Sequence, residues 1–445
     1  MVADLPTELI RETLKYIRGP SWDIPSHHKK HLKITSLVSS TFRKISQEFL
    51  FEKLELGLMP RCLQHPGHDI YQGAKLLSVF TTSPKLATHV KYIDLNDFYF
   101  NATAKWWLSA DQDIAQALRY IPLHRIIAFR FRSFKRRWDS LAGETQDVIL
   151  SICSSPCLKS LEVDGTFLKV LDACSPSLND LKVYEPDHEP QILSLVVPEE
   201  RQQGANKLRL ERLEINSLSP VRGAIHTVLD PSNRIETSRL KLLTISAGVH
   251  HYDSEAIGQL LESCTSSLES FIYRKFYHRP DYLNFNDPHP FELSRLSALK
   301  RFGCIYLNQG DTTSIPATSL SALLPLFHSL PSLSPLEVFH LRPCYDQRAS
   351  LSQTANLAGL WDQFDALFAD RQRFPSLRCV RITISYVSRD GASEEDNARY
   401  LKDIPQKIKS HLKRLTRAGI LAVDVSLDYS EFHFGWPSAS GIEDD

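Results

Sequence analysis

The residue types able to do chemistry in this 445-residue chain are present but scattered. Cys153 and Cys157 stand four apart, and no histidine pair completes a zinc-binding set around them. His27, His28 and His31 lie close together with only Asp23 nearby, the pattern of a polar loop rather than of a metal site. Gly-x-Ser-x-Gly, a phosphate-cradling glycine-rich loop and His-Glu-x-x-His do not occur, and 17 glycines are few for nucleotide chemistry. The eight cysteines run from Cys62 to Cys379 without a Cys-x-x-Cys, which reads as reduced, mostly buried thiols. No catalytic residue, metal or cofactor is expected, and the chemistry left to the chain is that of binding.

One binding element stands near the N-terminus. Pro6 occupies a place where a first helical turn tolerates proline, because the missing N–H would be unpaired there anyway. Leu5, Leu9, Ile10, Leu14 and Ile17 follow at helical spacing, and Gly19-Pro20 ends the helix. After a polar loop to His31, Leu32, Ile34, Leu37 and Val38 suggest a second short helix. Ser40 or Thr41 would cap a third, carrying Phe42, Ile45 and Phe49. Three helices of this size leave apolar surface over for a partner or for the rest of the chain.

Leu5-Pro6-x-Glu8-Leu9 followed by Ser36-Leu37-Val38-Ser39-x-x-Phe42-Arg43 resembles an F-box of the kind common in fungal proteins, over about residues 4–54. It departs from that family in the long loop from Gly19 to His31 and in having Phe42 where tryptophan is frequent. The resemblance implies docking to the Skp-type adaptor of cullin–RING ubiquitin ligases. Leu5, Pro6, Leu9, Leu14, Leu37, Val38 and Phe42 would line that interface. The other reading is a helical cap on a repeat domain, since terminal repeats need a special outer face.

The remainder is self-similar. Ile149 to Val163, Val170 to Val183 and Leu260 to Tyr273 each give an apolar helix end, a small-residue break and an apolar-x-x-apolar-x-apolar strand. Cys174 and Cys264 both precede the strand's first leucine by four residues, as packing residues at helix ends. The strand pattern starts at Val90, Ile126, Leu158, Leu178, Leu210, Leu240, Leu268, Leu299, Leu336, Leu377 and Ile420, a mean step of about 33 residues. Between strands, Asp113 to Ile121, Glu144 to Ile152, Asp253 to Cys264, Leu357 to Phe368 and Asp396 to Leu415 read as amphipathic helices. This α/β unit resembles a leucine-rich repeat of the irregular, F-box-associated kind. The resemblance implies a solenoid with a parallel sheet on the concave face and helices outside. The regular family places Asn or Cys three residues after the strand's last apolar position, and here only Cys344 does so, which leaves the turns to be held in another way. An α/β sheet of another winding is the alternative.

In such strands the middle x points away from the helices. That row reads Asp94, Arg130, Glu162, Lys182, Glu214, Thr244, Ile272, Gly303, His340, Arg381 and Asp424. Its mixed charge suits a protein partner better than phosphate, and suits equally a solvated surface that pairs with itself. Arg130, Glu162, Lys182, Glu214, His340 and Arg381 are the candidate target contacts. Two aromatic groups, Phe98-Tyr99-Phe100 with Trp106-Trp107 and Phe276-Tyr277 with Tyr282 and Phe285, serve either as interface anchors or as filling between repeats. The basic run Arg130, Arg132, Lys135, Arg136 and Arg137 reads as a strand edge and loop, or as a nuclear signal.

Balanced charge, 52 Lys+Arg against 52 Asp+Glu, argues against nucleic acid or a membrane surface as partner. No stretch matches a membrane span or a signal peptide, which gives cytoplasm or nucleus as the expected location. The expected organisation is an F-box over 1–55, a leucine-rich-repeat-like domain over 56–437 and a disordered, mildly acidic tail over 438–445. The expected function is the non-catalytic substrate-recognition subunit of a Skp–cullin–F-box ubiquitin ligase, with a scaffold acting outside any ligase as the alternative.

Overall fold

The structure, a computed structural model, describes residues 6–18, 26–57, 72–96, 108, 111–133, 138–185, 207–217, 221–231, 233–247, 253–277, 291–308, 323–331, 333–345, 358–386 and 401–427. Leu5, the first aromatic group, Lys135 to Arg137 and the tail from 438 lie outside them, and of Phe276 and Tyr277 only the backbone is described. The chain divides into two compact units, Met1–Leu213 with Thr227–Glu236, and Glu214–His226 with Thr237–Asp445. The division between Leu213 and Glu214 falls inside a strand.

In the first unit three helices come first: α1 (Thr7–Arg18), α2 (Ser26–Thr35) and α3 (Ser40–Leu50). Helix α2 starts earlier than the sequence suggested, so His28 and His31 sit on a helix and not in a loop. Ser39, not Ser40 or Thr41, caps α3, its hydroxyl accepting the Phe42 N–H at 3.3 Å. Ile10, Leu14, Leu32, Ile45 and Phe49 form a common core, with Phe42 and Leu50 packed against it. Arg11 on α1 donates to Glu48 on α3 at 2.6 Å, and the hydroxyls of Thr35 on α2 and Ser46 on α3 meet at 3.1 Å.

The strands β1 (Lys53–Gly57), β2 (Tyr92–Asn96), β3 (Ala128–Arg132), β4 (Ser160–Asp164) and β5 (Asp180–Glu185) follow in chain order as one parallel ladder. A small parallel pair, β6 (Leu208–Arg209) with β8 (Ile235–Glu236), also belongs to this unit. Strand β1, where Phe51-x-x-Leu54-x-Leu56 fits the strand pattern, is not among the expected strands and spans residue 55.

In the second unit the parallel order is β7 (Arg212–Ser217, of which Glu214 onward belongs here), β9 (Leu242–Ala247), β10 (Ser270–Tyr277), β11 (Arg301–Asn308), β12 (Val338–Tyr345), β13 (Cys379–Tyr386) and β14 (Leu421–Leu427). Helices Asp253–Ser263, Leu323–His328, Ala358–Phe368, Ile404–His411 and Lys413–Arg417 lie between strands. The single helix expected from Asp396 to Leu415 breaks at Leu412, which leaves helical geometry at ψ 53. Asp365 then caps the second piece, accepting the N–H groups of Arg414 and Leu415 at 2.9 Å each.

Alternation along the strands builds the core. Phe302 and Phe339 point to the helical side, where Phe327 meets Phe339 edge-on at 4.9 Å and Phe368 stacks on it at 4.4 Å. The first residue of each expected strand pattern from Val90 to Leu377 is buried, as are Cys174 and Cys264. Burial raises the Cys264 thiol to about 12, and a hydrogen bond to Cys174 followed by burial raises that of Cys153, so both stay protonated. The last pattern is two residues off: Val380 pairs with Leu421 and Arg381 with Ala422, so Asp424 is level with Thr383 and leaves the expected row. A two-residue slip keeps every side chain on its face, and the alternating Leu421, Val423 and Val425 cannot distinguish the two registers.

Among the described residues the turns are held by main-chain and serine hydrogen bonds. At step after step one carbonyl accepts two successive N–H groups of the next strand segment: Glu52 from Lys91 and Tyr92, Lys91 from Ile127 and Ala128, Lys241 from Glu269 and Ser270. Serines of the breaks stitch each repeat to the one before. Ser155 donates to the Ile126 carbonyl at 3.1 Å, Ser177 to that of Leu158 at 2.8 Å and Ser267 to that of Leu240 at 2.9 Å.

Candidate binding surfaces

The N-terminal helices divide their apolar residues between a core and a surface. Leu9 is 55% exposed, Leu37 76% and Val38 66%, and Ile34 is exposed as well. Leu37 and Val38 occupy the turn after α2, held by hydrogen bonds to the carbonyls of Ile34 and Thr35 at 3.0 and 3.1 Å. Pro6 is exposed, and its carbonyl accepts the Ile10 N–H at 3.1 Å. Phe42 is half-buried against the core. Leu14 corrects the expectation: it is fully buried inside the three helices, because the 3.6-residue period turns it with Ile10 toward Leu32 and Ile45, and it cannot line an interface. Ile34, exposed and near Leu37 and Val38 in sequence, is not among the residues expected at that surface. Lys29 on α2 donates to Glu55 on β1 at 2.5 Å and so ties the helices to the ladder. Burial alone would raise the Glu55 carboxyl, but hydrogen bonds and charge from Lys29 and Lys53 outweigh it and hold the group below its ordinary value.

On the strand face away from the core, the first unit carries an ionic ladder. Glu55, Asp94, Arg130, Glu162 and Lys182 are level from strand to strand. Arg130 donates to Asp94 at 3.0 Å and to Glu162 at 2.8 Å, while Arg132 donates to Glu162 at 2.5 Å and lies over the Tyr184 ring at 4.9 Å. Lys53 reaches Glu55 at 2.6 Å and Asp94 at 3.7 Å. Desolvation raises the Asp94 carboxyl, against the pull of Arg130, Lys53 and Arg132. Two candidate target contacts, Arg130 and Glu162, are thus first of all partners of each other.

In the second unit, Thr244, Ile272, Gly303, His340 and Arg381 are level in the same way. His340 is buried and its Nε2 lies 2.9 Å from the Thr383 hydroxyl. Burial, with Arg381 and Arg342 adding to it, lowers its pKa to about 4, so the ring is neutral near pH 7. Arg342 donates to the Ser385 hydroxyl at 2.8 Å. Glu214 is buried, with Arg274 Nη1 3.6 Å from its carboxylate. Arg132, Arg274 and Arg342 were not among the candidates, yet two residues of spacing from Arg130, Ile272 and His340 place them on the same face.

Of the candidate target contacts, Arg130, Glu162 and Lys182 belong to the first unit, and Glu214, His340 and Arg381 to the second. Among the described residues no helix is long and apolar enough to cross a membrane. Compared with protein-family models and with curated proteins, the sequence matches none.

Proposed function

We propose that the chain is a substrate-recognition subunit of a Skp–cullin–F-box ubiquitin ligase, with an F-box at its N-terminus and a leucine-rich-repeat-like array behind it. The observation that supports this reading is the exposure of Leu9, Ile34, Leu37 and Val38 on a three-helix module in which Ile10, Leu14, Leu32, Ile45 and Phe49 form a core of their own. Exposed leucine and valine on so small a module lose free energy in water and regain it under a partner, roughly 1.5–3 kcal/mol for each side chain fully covered. The mechanism is proximity. The helices hold the adaptor, the strand face holds a target, and the assembled ligase brings charged ubiquitin to the target's lysines. The chain makes and breaks no bond itself.

Affinity purification of the full chain with a Skp-type adaptor tests the reading. Adaptor and cullin should both co-purify. Adaptor without cullin would favour a scaffold working outside the ligase, and neither would leave the three helices as a cap on the array.

A further inference from the structure

Some buried polar groups of the second unit are not used by the fold. On β9, Leu243 and Ile245 face the core, while Thr244 and Ser246 face the other side and are both 0% exposed. Neither hydroxyl has a hydrogen-bond partner. On the neighbouring strand β7, Asn216 is buried and donates through Nδ2 to Glu214 at 2.9 Å, and its Oδ1 is likewise unpartnered. Strand register sets Thr244 level with Ile272 and Ser246 level with Arg274. Unpartnered buried hydroxyls cost stability, and valine or alanine would fill the same volumes without that cost. Packing does not ask for them.

We propose that Thr244, Ser246 and Asn216 form a binding site for an extended main-chain segment of a partner protein. The proposal rests on the reading of the chain as a target receptor. Thr244 and Ser246, two apart on one strand, hold their hydroxyls roughly 6.5–7 Å apart. An extended polypeptide presents its N–H and C=O groups to one side at the same two-residue interval. A hydroxyl both donates and accepts, and Asn216 Oδ1 accepts, which suits peptide groups carrying one donor and one acceptor each. Charge points the same way. Arg274, level with Ser246, faces the Glu214 carboxylate at 3.6 Å, so a phosphate or carboxylate gains little from this pair. Because the hydroxyls are buried, the segment enters by displacing existing contacts, which places association at the slow end for protein partners.

The test selects random dodecapeptides displayed on phage against the full-length protein. Recovered peptides are then titrated into the wild type and into Thr244→Val/Ser246→Ala. Binding should weaken about tenfold or more in the double variant. Replacing one peptide amide by an ester should weaken binding to the wild type and leave the variant's unchanged. The variant's unfolding temperature should stay level or rise. The proposal is overturned if no recovered peptide responds to the double substitution, or if the unfolding temperature falls, which would mark the hydroxyls as holders of internal water. Adaptor binding by the same two proteins reports separately on the receptor reading, since the N-terminal helices are untouched.

Discussion

The Arg130 guanidinium on β3 donates to the Glu162 carboxylate on β4 at 2.8 Å, across the strand face turned away from the core. Arg130 also holds Asp94, and Glu162 also accepts from Arg132, so the four side chains make one chain of alternating charge over three strands. On the proposed reading, a partner bound to this face would have to offer these side chains more than they offer one another.

Glu162 is the keystone of that ladder. Glu162→Ala leaves Arg130 and Arg132 partly buried without it, at a cost of about 2–4 kcal/mol. In denaturant titrations the double variant with Arg130→Ala should lose less than the two single losses combined, by about 1 kcal/mol or more. Additive losses would mean that the pair does not act together.

His340 gives the second unit a sensitivity to acid. Burial and the two neighbouring arginines set its folded pKa at about 4, against 6.5 for the free side chain. Between these values the unfolded chain takes up a proton that the folded chain refuses. The stability from this residue is therefore complete above pH 6.5 and declines as the pH falls toward 4. Urea unfolding at pH 5 should show roughly 2 kcal/mol less stability than at pH 7 from this residue. In His340→Gln the difference between the two pH values should shrink by that amount.

Asp365 joins two helices by capping one from the side of the other. Asp365→Ala removes the acceptor for the Arg414 and Leu415 N–H groups and should cost about 1–2 kcal/mol. Hydrogen exchange should quicken over Lys413–Arg417 before the strands respond.

Leu14 and Leu37 separate packing from display. Leu14→Ala empties part of the three-helix core and should cost about 2–5 kcal/mol. Leu37→Asp alters an exposed turn and should move stability by no more than about 0.5 kcal/mol in a thermal scan.

Much of the architecture could be read from the residues because parallel strands repeat their pattern with period two and bury the same positions each time. Leu158, Leu178 and Leu268 and the breaks before them were enough to place three strands. Register at the end of the array was not legible, since Leu421, Val423 and Val425 satisfy the pattern at two settings. Strand β1 escaped because Phe51 was absorbed into the helical module. The F-box resemblance puts Leu14 among the interface residues, whereas it lies in the three-helix core; helical periodicity finds its face but does not say whether that face meets a partner or a sister helix. The sequence showed the row of Arg130, Glu162 and Lys182, while the mutual pairing of Arg130 and Glu162 depends on side-chain geometry that no pattern encodes.

The most direct measurement of the central claim is calorimetric titration of a purified Skp-type adaptor into the full-length protein, its Leu9→Ala and Leu37→Asp variants, and Lys15→Ala as a surface control. The account predicts a saturable association with the wild type and the control. Leu9→Ala should lose about 1–3 kcal/mol and Leu37→Asp at least as much, with thermal stability unchanged. A wild-type protein that does not bind the adaptor, or variants that bind it as well as the wild type does, would contradict the account.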